Sequence, residues 1–292
     1  MEFSQWTKQL IGGEWREGSS ERVYTDRNPF NDEPLLSIRL ATRADLDAAY
    51  RAAQAAQREW QHVSPFERSA MMERATEVFL RHRDDIITTL QVETGSTYLK
   101  ACIEFDSIIG MMKQAATYPH RMQGQIVPSI IPGKENRIFR VPVGVVGVIG
   151  PFNFPMFLAM RAVAPALACG NGVVLKPATE TLVAGGLLIG KLFEEAGFPP
   201  GLLNVVVGSG SEIGDAFVEH PVPGVIAFTG STEVGRRVGE ICGRTLKRMA
   251  LELGGNNVMI VLEDADVDKA AHAAAFGKFL HQGQICMALN RI

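Results

Sequence analysis

Five side chains in this sequence stand where short apolar runs give way to turns, and each could do chemistry there: Asn153 in PFNFP, Lys176 in LKPATE, Ser231 in FTGSTEVG, Glu252 in LELGG and Cys286 in GQIC. A cysteine thiolate is a strong nucleophile, and Gly283 and Gln284 before Cys286 suggest close backbone approach and an exposed thiol. The other reading of a free cysteine, a small buried hydrophobe, suits Cys102, Cys169 and Cys242, which sit in apolar helical contexts. Glu252 ends an apolar run before two glycines; a desolvated carboxylate there would have a raised pKa and serve as a general base, or it is a paired structural glutamate. Asn153 lies between two phenylalanines and two prolines, so it is either a rigidly held amide donor for a developing oxyanion or an ordinary turn residue.

The remaining groups point to a nucleotide. Lys176 closes an apolar run before Pro177, where a cation could contact a ribose or phosphate, or could snorkel to the surface. The turn at Gly230 and Ser231 opens a helix and offers N–H groups and hydroxyls to a pyrophosphate, a role compatible with an N-cap at Ser231 or Thr232. The run GSGSEIG, starting at Gly208, matches G-x-G-x-x-G poorly because its last glycine falls one residue late, yet such a loop can shape the adenine side of a pocket.

The elements that must position these groups follow from the apolar patterning. Residues 1–43 read as irregular, with turn signals at IGGEWREGSS and RNPFNDEP. A helix follows from Thr42, with Leu46, Ala49, Ala53 and Ala56 on one face, and further helices are predicted over 65–82, 83–94 and about 98–119. Pro128 and Pro132 mark an extended, exposed segment over 120–142. From 143 onward, short apolar runs (143–150, 171–177, 202–208, 224–230, 248–255 and 256–263) alternate with amphipathic stretches (155–169, 181–196, 211–219). Near-continuous Val/Ile/Leu strands alternating with helices imply an α/β, doubly wound parallel sheet of the dinucleotide-binding kind, whose ligands sit at the carboxyl ends of the strands.

The totals exclude other classes. A formal net charge of -3 without a basic block gives no nucleic-acid footprint. No apolar run reaches the ~20 residues a membrane helix needs, and MEFSQWTKQL has no secretory-signal pattern. Four cysteines with no C-x-x-C pair imply a reduced, cytoplasmic compartment and no structural metal.

In their order and spacing, PFNFP, LKP, FTGSTEVG, LELGGNN and GQIC resemble the NAD(P)-dependent aldehyde dehydrogenase superfamily over essentially the whole chain, with bacterial benzaldehyde- and vanillin-type enzymes as the most similar branch. The resemblance implies an NAD(P)-binding domain from 1–119 and 143–255, a bridging segment at 120–142 used to form a homodimer or homotetramer, and the start of a catalytic domain at 256–292. It also implies that Cys286 attacks the aldehyde and that Asn153 and the Cys286 N–H hold the oxyanion. Glu252 then activates water, while Lys176, Thr179, Gly208, Gly230, Ser231, Phe152 and Leu253 surround NAD or NADP. Phe152, Phe154, Phe157 and Phe279 either line an apolar substrate tunnel, which favours an aromatic aldehyde, or pack in the core. Arg161, on the helix after PFNFP, would bind an acidic substrate group if it faces that tunnel, although a surface helix position is the other reading.

Two departures from the family pattern matter. Many NAD-preferring members carry Glu three residues after the lysine; here that position is Thr179, with Glu180 next. A hydroxyl would not repel a 2′-phosphate, so NADP is expected to be accepted alongside NAD. Family members also continue well past the cysteine, so the chain is expected to be a fragment, with exposed apolar surface near its end. A nucleotide-binding remnant without turnover is the alternative function, and a thiol hydrolase pairing Cys286 with His281 is a third.

Overall fold

The computed structural model describes residues 2–292. The N-terminal stretch is not irregular but forms four short strands: β1 (Gln9–Ile11), β2 (Glu14–Arg16), β3 (Val23–Arg27) and β4 (Pro34–Arg39). β1 and β2 turn through Gly12 and Gly13, both at positive φ, where glycine carries no steric cost. β1 and β2, at three residues each, are too short for a period-2 signal, whereas β4 alternates buried Leu36 and Ile38 with exposed Ser37 and Arg39, a short alternation that the reading as irregular missed.

The helices begin and end where the caps dictate. A Thr42–Asp45 capping box opens α1 (Arg43–Trp60), which buries Leu46, Ala49 and Ala53 as their spacing predicts. A Ser64–Glu67 box opens α2 (Pro65–Arg81). Gly95, left-handed at φ 65°, stops α3 (Arg83–Thr94) before α4 (Tyr98–Ala116) and the short α5 (Tyr118–Arg121). The segment read as extended and exposed is an antiparallel hairpin of β5 (Gln125–Pro128) and β6 (Glu135–Ile138).

Next come β7 (Val145–Ile149), α6 (Pro155–Ala168), β8 (Gly172–Lys176), α7 (Leu188–Glu195), β9 (Leu203–Val205), α8 (Asp215–Glu219), β10 (Pro223–Thr229), α9 (Thr232–Thr245) and β11 (Arg248–Glu252). The strands form one sheet in the order β11-β10-β7-β8-β9-β1-β2. The first five run parallel, and β1 and β2 extend the edge antiparallel. Alternate side chains face opposite layers. Val146, Val148, Val173 and Leu175 join the larger core with α2, α4, α6 and α7. Val145, Val174, Ile226 and Phe228 join the other with α1, α8 and α9. This is the doubly wound arrangement the sequence predicts. The strand order reverses beside β7, which places a ligand crevice at the carboxyl ends of β7, β8 and β10.

After β11 the chain forms β12 (Asn257–Val258), α10 (Val267–Phe279) and β13 (Leu289–Arg291), with β12 and β13 paired parallel to each other. The strand expected over 256–263 is thus only its first part. α10 buries none of its residues, and Ile260 and Leu262 stand exposed beside it. Among the described residues, no helix is long and apolar enough to cross a membrane.

Candidate active site

The cysteine loop is held by amides on two sides. After α10 the backbone passes through His281 (φ 51°), Gln282 (φ 55°) and Gly283 (φ 76°), a left-handed run that costs energy at its two non-glycine positions. Gln284 follows, and its carbonyl accepts a 2.7 Å hydrogen bond from Asn153 Nδ2. The Asn153 side chain is itself fixed, because its Oδ1 accepts the Phe154 N–H at 2.9 Å. On the far side, Asn257 Nδ2 donates to the Cys286 carbonyl at 2.6 Å. Gly255 explains the second glycine of LELGG: a Cβ there would come within 3.0 Å of the Cys286 carbonyl oxygen. The Cys286 thiol is exposed, whereas Cys242 is buried and Cys102 and Cys169 are half-buried.

Glu252 ends β11, and its carbonyl accepts the Gly230 N–H at 3.1 Å, which joins the phosphate-type turn to the carboxylate strand. The desolvated setting considered for it is absent. Its side chain is 56% exposed and its Oε1 accepts from Arg161 Nη2 at 3.1 Å. Among the described residues β11 is the edge strand of the sheet, and Glu252 stands at its exposed end.

The layer beneath this site was not legible in the sequence. Lys100 and Glu104, one turn apart on α4, form a fully buried ion pair. Glu104 Oε1 also accepts the N–H groups of Met156 and Phe157, both at 3.1 Å. It thus caps α6 where Phe154, the N-cap residue, provides no side-chain bond. The Phe154 ring packs under Lys100, with Nζ 4.2 Å from its centroid, and edge-on against His281 at 5.9 Å. Phe154 is therefore largely buried in this supporting layer, and Phe157 is half-buried. Burial, with Lys100 nearby, depresses the His281 pKa to about 4, and its Nδ1 has no partner among the described residues. The only sequence signal was the i, i+4 spacing of Lys100 and Glu104.

The crevice at the strand ends is a cavity of about 400 Å³, lined by Ile149, Lys176, Gly210, Gly214, Phe228 and Val234 among others. Lys176 is buried, and its Nζ lies 3.4 Å from the Pro177 carbonyl. Burial lowers its pKa, and the neighbouring Glu180 opposes that shift. Ser231 is the N-cap of α9, accepting the Val234 N–H at 3.3 Å. Two further glycines are required by close approach: a Cβ on Gly230 would lie 2.5 Å from the Phe228 ring, and one on Gly208 would lie 2.4 Å from Ile213. Leu253 occupies the space left by Gly235, Thr179 starts a half-buried turn, and Phe152 is exposed. Of the residues expected around a cofactor, Lys176 lines this cavity. The GSGSEIG loop, expected to shape the adenine side of a pocket, contributes Gly210 and Gly214 to this lining, whereas Phe228 and Val234, which show only ordinary apolar periodicity, were not singled out. A buried ammonium at the strand ends, next to a helix N-terminus, fits the hydroxyls and phosphates of a dinucleotide.

The comparisons with known proteins agree with this layout. The family model described as the aldehyde dehydrogenase family matches residues 15–292. The chain is 53% identical over 291 residues to benzaldehyde dehydrogenase YfmT of Bacillus subtilis, covering 100% of this chain and 60% of that protein. It is 54% identical over 288 residues to a vanillin dehydrogenase of Corynebacterium glutamicum, covering 98% of this chain and 60% of that protein. A crystal structure of an NAD-dependent benzaldehyde dehydrogenase from Corynebacterium glutamicum superposes with a TM-score of 0.93 at 54% identity, over 97% of this chain and 62% of the other. The chain thus spans about 60% of the length of the curated relatives it matches. A sheet with its crevice at the switch point, an exposed cysteine beside a clamped asparagine amide and a family match over nearly the whole sequence lead to one conclusion: the chain belongs to the aldehyde dehydrogenase family.

Proposed function

We propose that this chain carries the cofactor-binding and nucleophile-bearing part of an enzyme that oxidises an aromatic, benzaldehyde-like aldehyde to the carboxylic acid with NAD or NADP. The observation that carries this reading is the Asn153 amide seated on the carbonyl two residues before an exposed Cys286. The likeness to benzaldehyde and vanillin dehydrogenases supports the aromatic substrate.

In this mechanism the Cys286 thiolate adds to the aldehyde carbon and gives a thiohemiacetal. One N–H of Asn153 Nδ2 is engaged with Gln284, and the second, with the Cys286 backbone N–H, receives the oxyanion. A bound nicotinamide supplies the hydride acceptor. Glu252 activates the water that releases the acid from the Cys286 thioester, after leaving its ion pair with Arg161. Lys176 holds the adenosine ribose, and Ser231 with the start of α9 faces the pyrophosphate. Thr179, Gly208, Gly230, Phe152 and Leu253 shape the cofactor site, and Phe157 the substrate side, with Phe154 packed behind it against Lys100 and His281. Residues 1–119 and 143–255 form the cofactor domain, 256–292 begin the catalytic domain, and the hairpin within 120–142 bridges subunits of a homodimer or homotetramer.

A second reading, nucleotide binding without turnover, draws on the openness of the Glu252–Cys286 face and on α10 burying no residue. Reduction of NAD(P) in the presence of benzaldehyde, hexanal or succinic semialdehyde separates the two. Turnover of benzaldehyde ahead of the others supports the proposal. Absence of turnover with benzaldehyde refutes the aromatic preference, and nucleotide binding without any aldehyde oxidation favours the second reading.

A further inference from the structure

His281 combines three unfavourable features at one position. Its backbone is left-handed (φ 51°), as is that of Gln282 after it (φ 55°). The residue is 2% exposed, and burial with Lys100 nearby works against the charged form of its ring. Its Nδ1 has no partner among the described residues. A residue of this kind persists only where its surroundings over-determine it. Here the surroundings are the cysteine loop, which has little else to hold it. Among the described residues, His281 is the only buried one between Val267 and Met287, a span that includes all of α10 and Cys286. Its ring packs edge-on against Phe154, with centroids 5.9 Å apart, and the Phe154 ring lies 4.2 Å from Lys100 Nζ. Lys100 is fixed in turn by Glu104, which also accepts the Met156 and Phe157 N–H groups at the start of α6. The backbone completes the connection. The His281 carbonyl accepts the Gln284 N–H at 3.0 Å, and the Gln284 carbonyl accepts Asn153 Nδ2 at 2.7 Å. Asn153 directly precedes Phe154, so one short segment holds the turn twice: by an amide at Gln284 and by a ring at His281.

We infer that His281 is the positioning residue of the nucleophile loop: its imidazole ring, seated on Phe154, pegs the left-handed turn on which Asn153 and Cys286 meet. This rests on the reading of Cys286 as the nucleophile given above and adds to it a residue that acts through the turn rather than on the reacting atoms. The ring does by packing what the Asn153 amide does by hydrogen bonding, and a buried aromatic edge contact contributes on the scale of one such bond. Oxyanion donors work only when their positions are fixed beforehand, and the ring keeps the Cys286 N–H in register with the Asn153 amide.

The test pairs hydrogen exchange with kinetics in the 292-residue chain. Exchange in the peptide 279–288, followed by mass spectrometry, reads the turn through the Gln284 and Ala288 amides, which are bonded within it at 3.0 and 3.1 Å. His281→Ala should quicken that exchange by roughly five- to tenfold, the scale of one buried aromatic contact, while the β7 and β8 amides keep their native rates. His281→Asn suits the left-handed backbone but brings no ring to Phe154, so it should behave as His281→Ala. His281→Phe keeps a ring and should stay within about twofold of native. In turnover of benzaldehyde with NAD, His281→Ala should lower kcat by roughly tenfold and leave KM for NAD unchanged, because the Lys176 cavity lies at the strand ends. Native exchange in His281→Ala, equal acceleration of the loop and the β7 and β8 amides, or native exchange in His281→Asn overturns the inference. A native chain that oxidises no benzaldehyde counts against the aldehyde-oxidising reading, and the exchange result then decides the role of His281 by itself.

Discussion

Asn153 donates its side-chain amide to the carbonyl of Gln284 at 2.7 Å, tying the start of α6 to the turn that carries Cys286. The amide holds the loop, and in the proposed mechanism it also receives the oxyanion. Asn153→Ala should lower kcat for aldehyde oxidation by about 10²–10³, the usual cost of one oxyanion donor. It should also speed iodoacetamide alkylation of Cys286, because the loop loses one of its two amide clamps. A variant with native kcat would remove Asn153 from the chemistry.

The buried Lys100–Glu104 pair supports α6 from below. Desolvation pushes the Glu104 pKa up and the Lys100 pKa down, so each ion depends on the other. Glu104→Ala strands the ammonium and two helix N–H groups. It should cost about 3–5 kcal/mol in urea unfolding, the range for breaking one partner of a buried pair. Lys100→Met with Glu104→Met should cost less than Glu104→Ala alone, since no charge is left unpaired. Equal losses would mean that the pair is not coupled.

How much of this was readable in advance differs by element. The runs at 143–150, 171–177 and 224–230 announce β7, β8 and β10, because strands buried on both faces read as unbroken Val/Ile/Leu. Asn153, Glu252 and Cys286 were legible because each interrupts such a pattern with a reactive group beside glycine or proline. β1, which joins the same sheet through Leu10 and Val205, was not, since its pairing spans most of the chain and leaves no local periodicity. Lys100 and Glu104 look like any exposed i, i+4 pair in a helix, and only the packing of α4 on α6 shows them to be buried. The exposure of Glu252 was equally hidden, because it depends on what packs against the end of β11 and not on the local sequence.

Asp26 and Glu93 form a buried acidic pair, 1% and 2% exposed. Glu93 accepts the N–H groups of Val183 and Ala184, both at 2.7 Å. Burial raises the Asp26 pKa to about 7, so the native state keeps a proton that the unfolded chain releases near pH ~4. This contribution favours folding at low pH and is lost as pH rises through that window. His281, with its depressed pKa, acts in the opposite sense, so the comparison must be with a variant. Asp26→Asn should gain melting temperature over the native protein at about pH 8 relative to about pH 5. Parallel pH profiles would contradict a shared buried proton.

In the proposed cofactor site Thr179 supplies no carboxylate to repel a 2′-phosphate, while Glu180 acts on Lys176 from the next position. Thr179→Glu should lower kcat/KM for NADP relative to NAD by roughly tenfold, on the scale of one like-charge contact near the surface. Lys176→Met should weaken both cofactors. A strong native preference for NAD that Thr179→Glu leaves unchanged would contradict this reading of the turn.

The central claim is that Cys286 carries the substrate as a thioester. Its most direct test is peptide mass spectrometry of the protein quenched during reaction with benzaldehyde and NAD(P), in the native form and in Glu252→Gln, which should deacylate slowly. The account predicts a benzoyl group on Cys286 that accumulates in Glu252→Gln and is absent when the cofactor is omitted. An acyl group on another residue, or none on Cys286 while aldehyde is being oxidised, would contradict it.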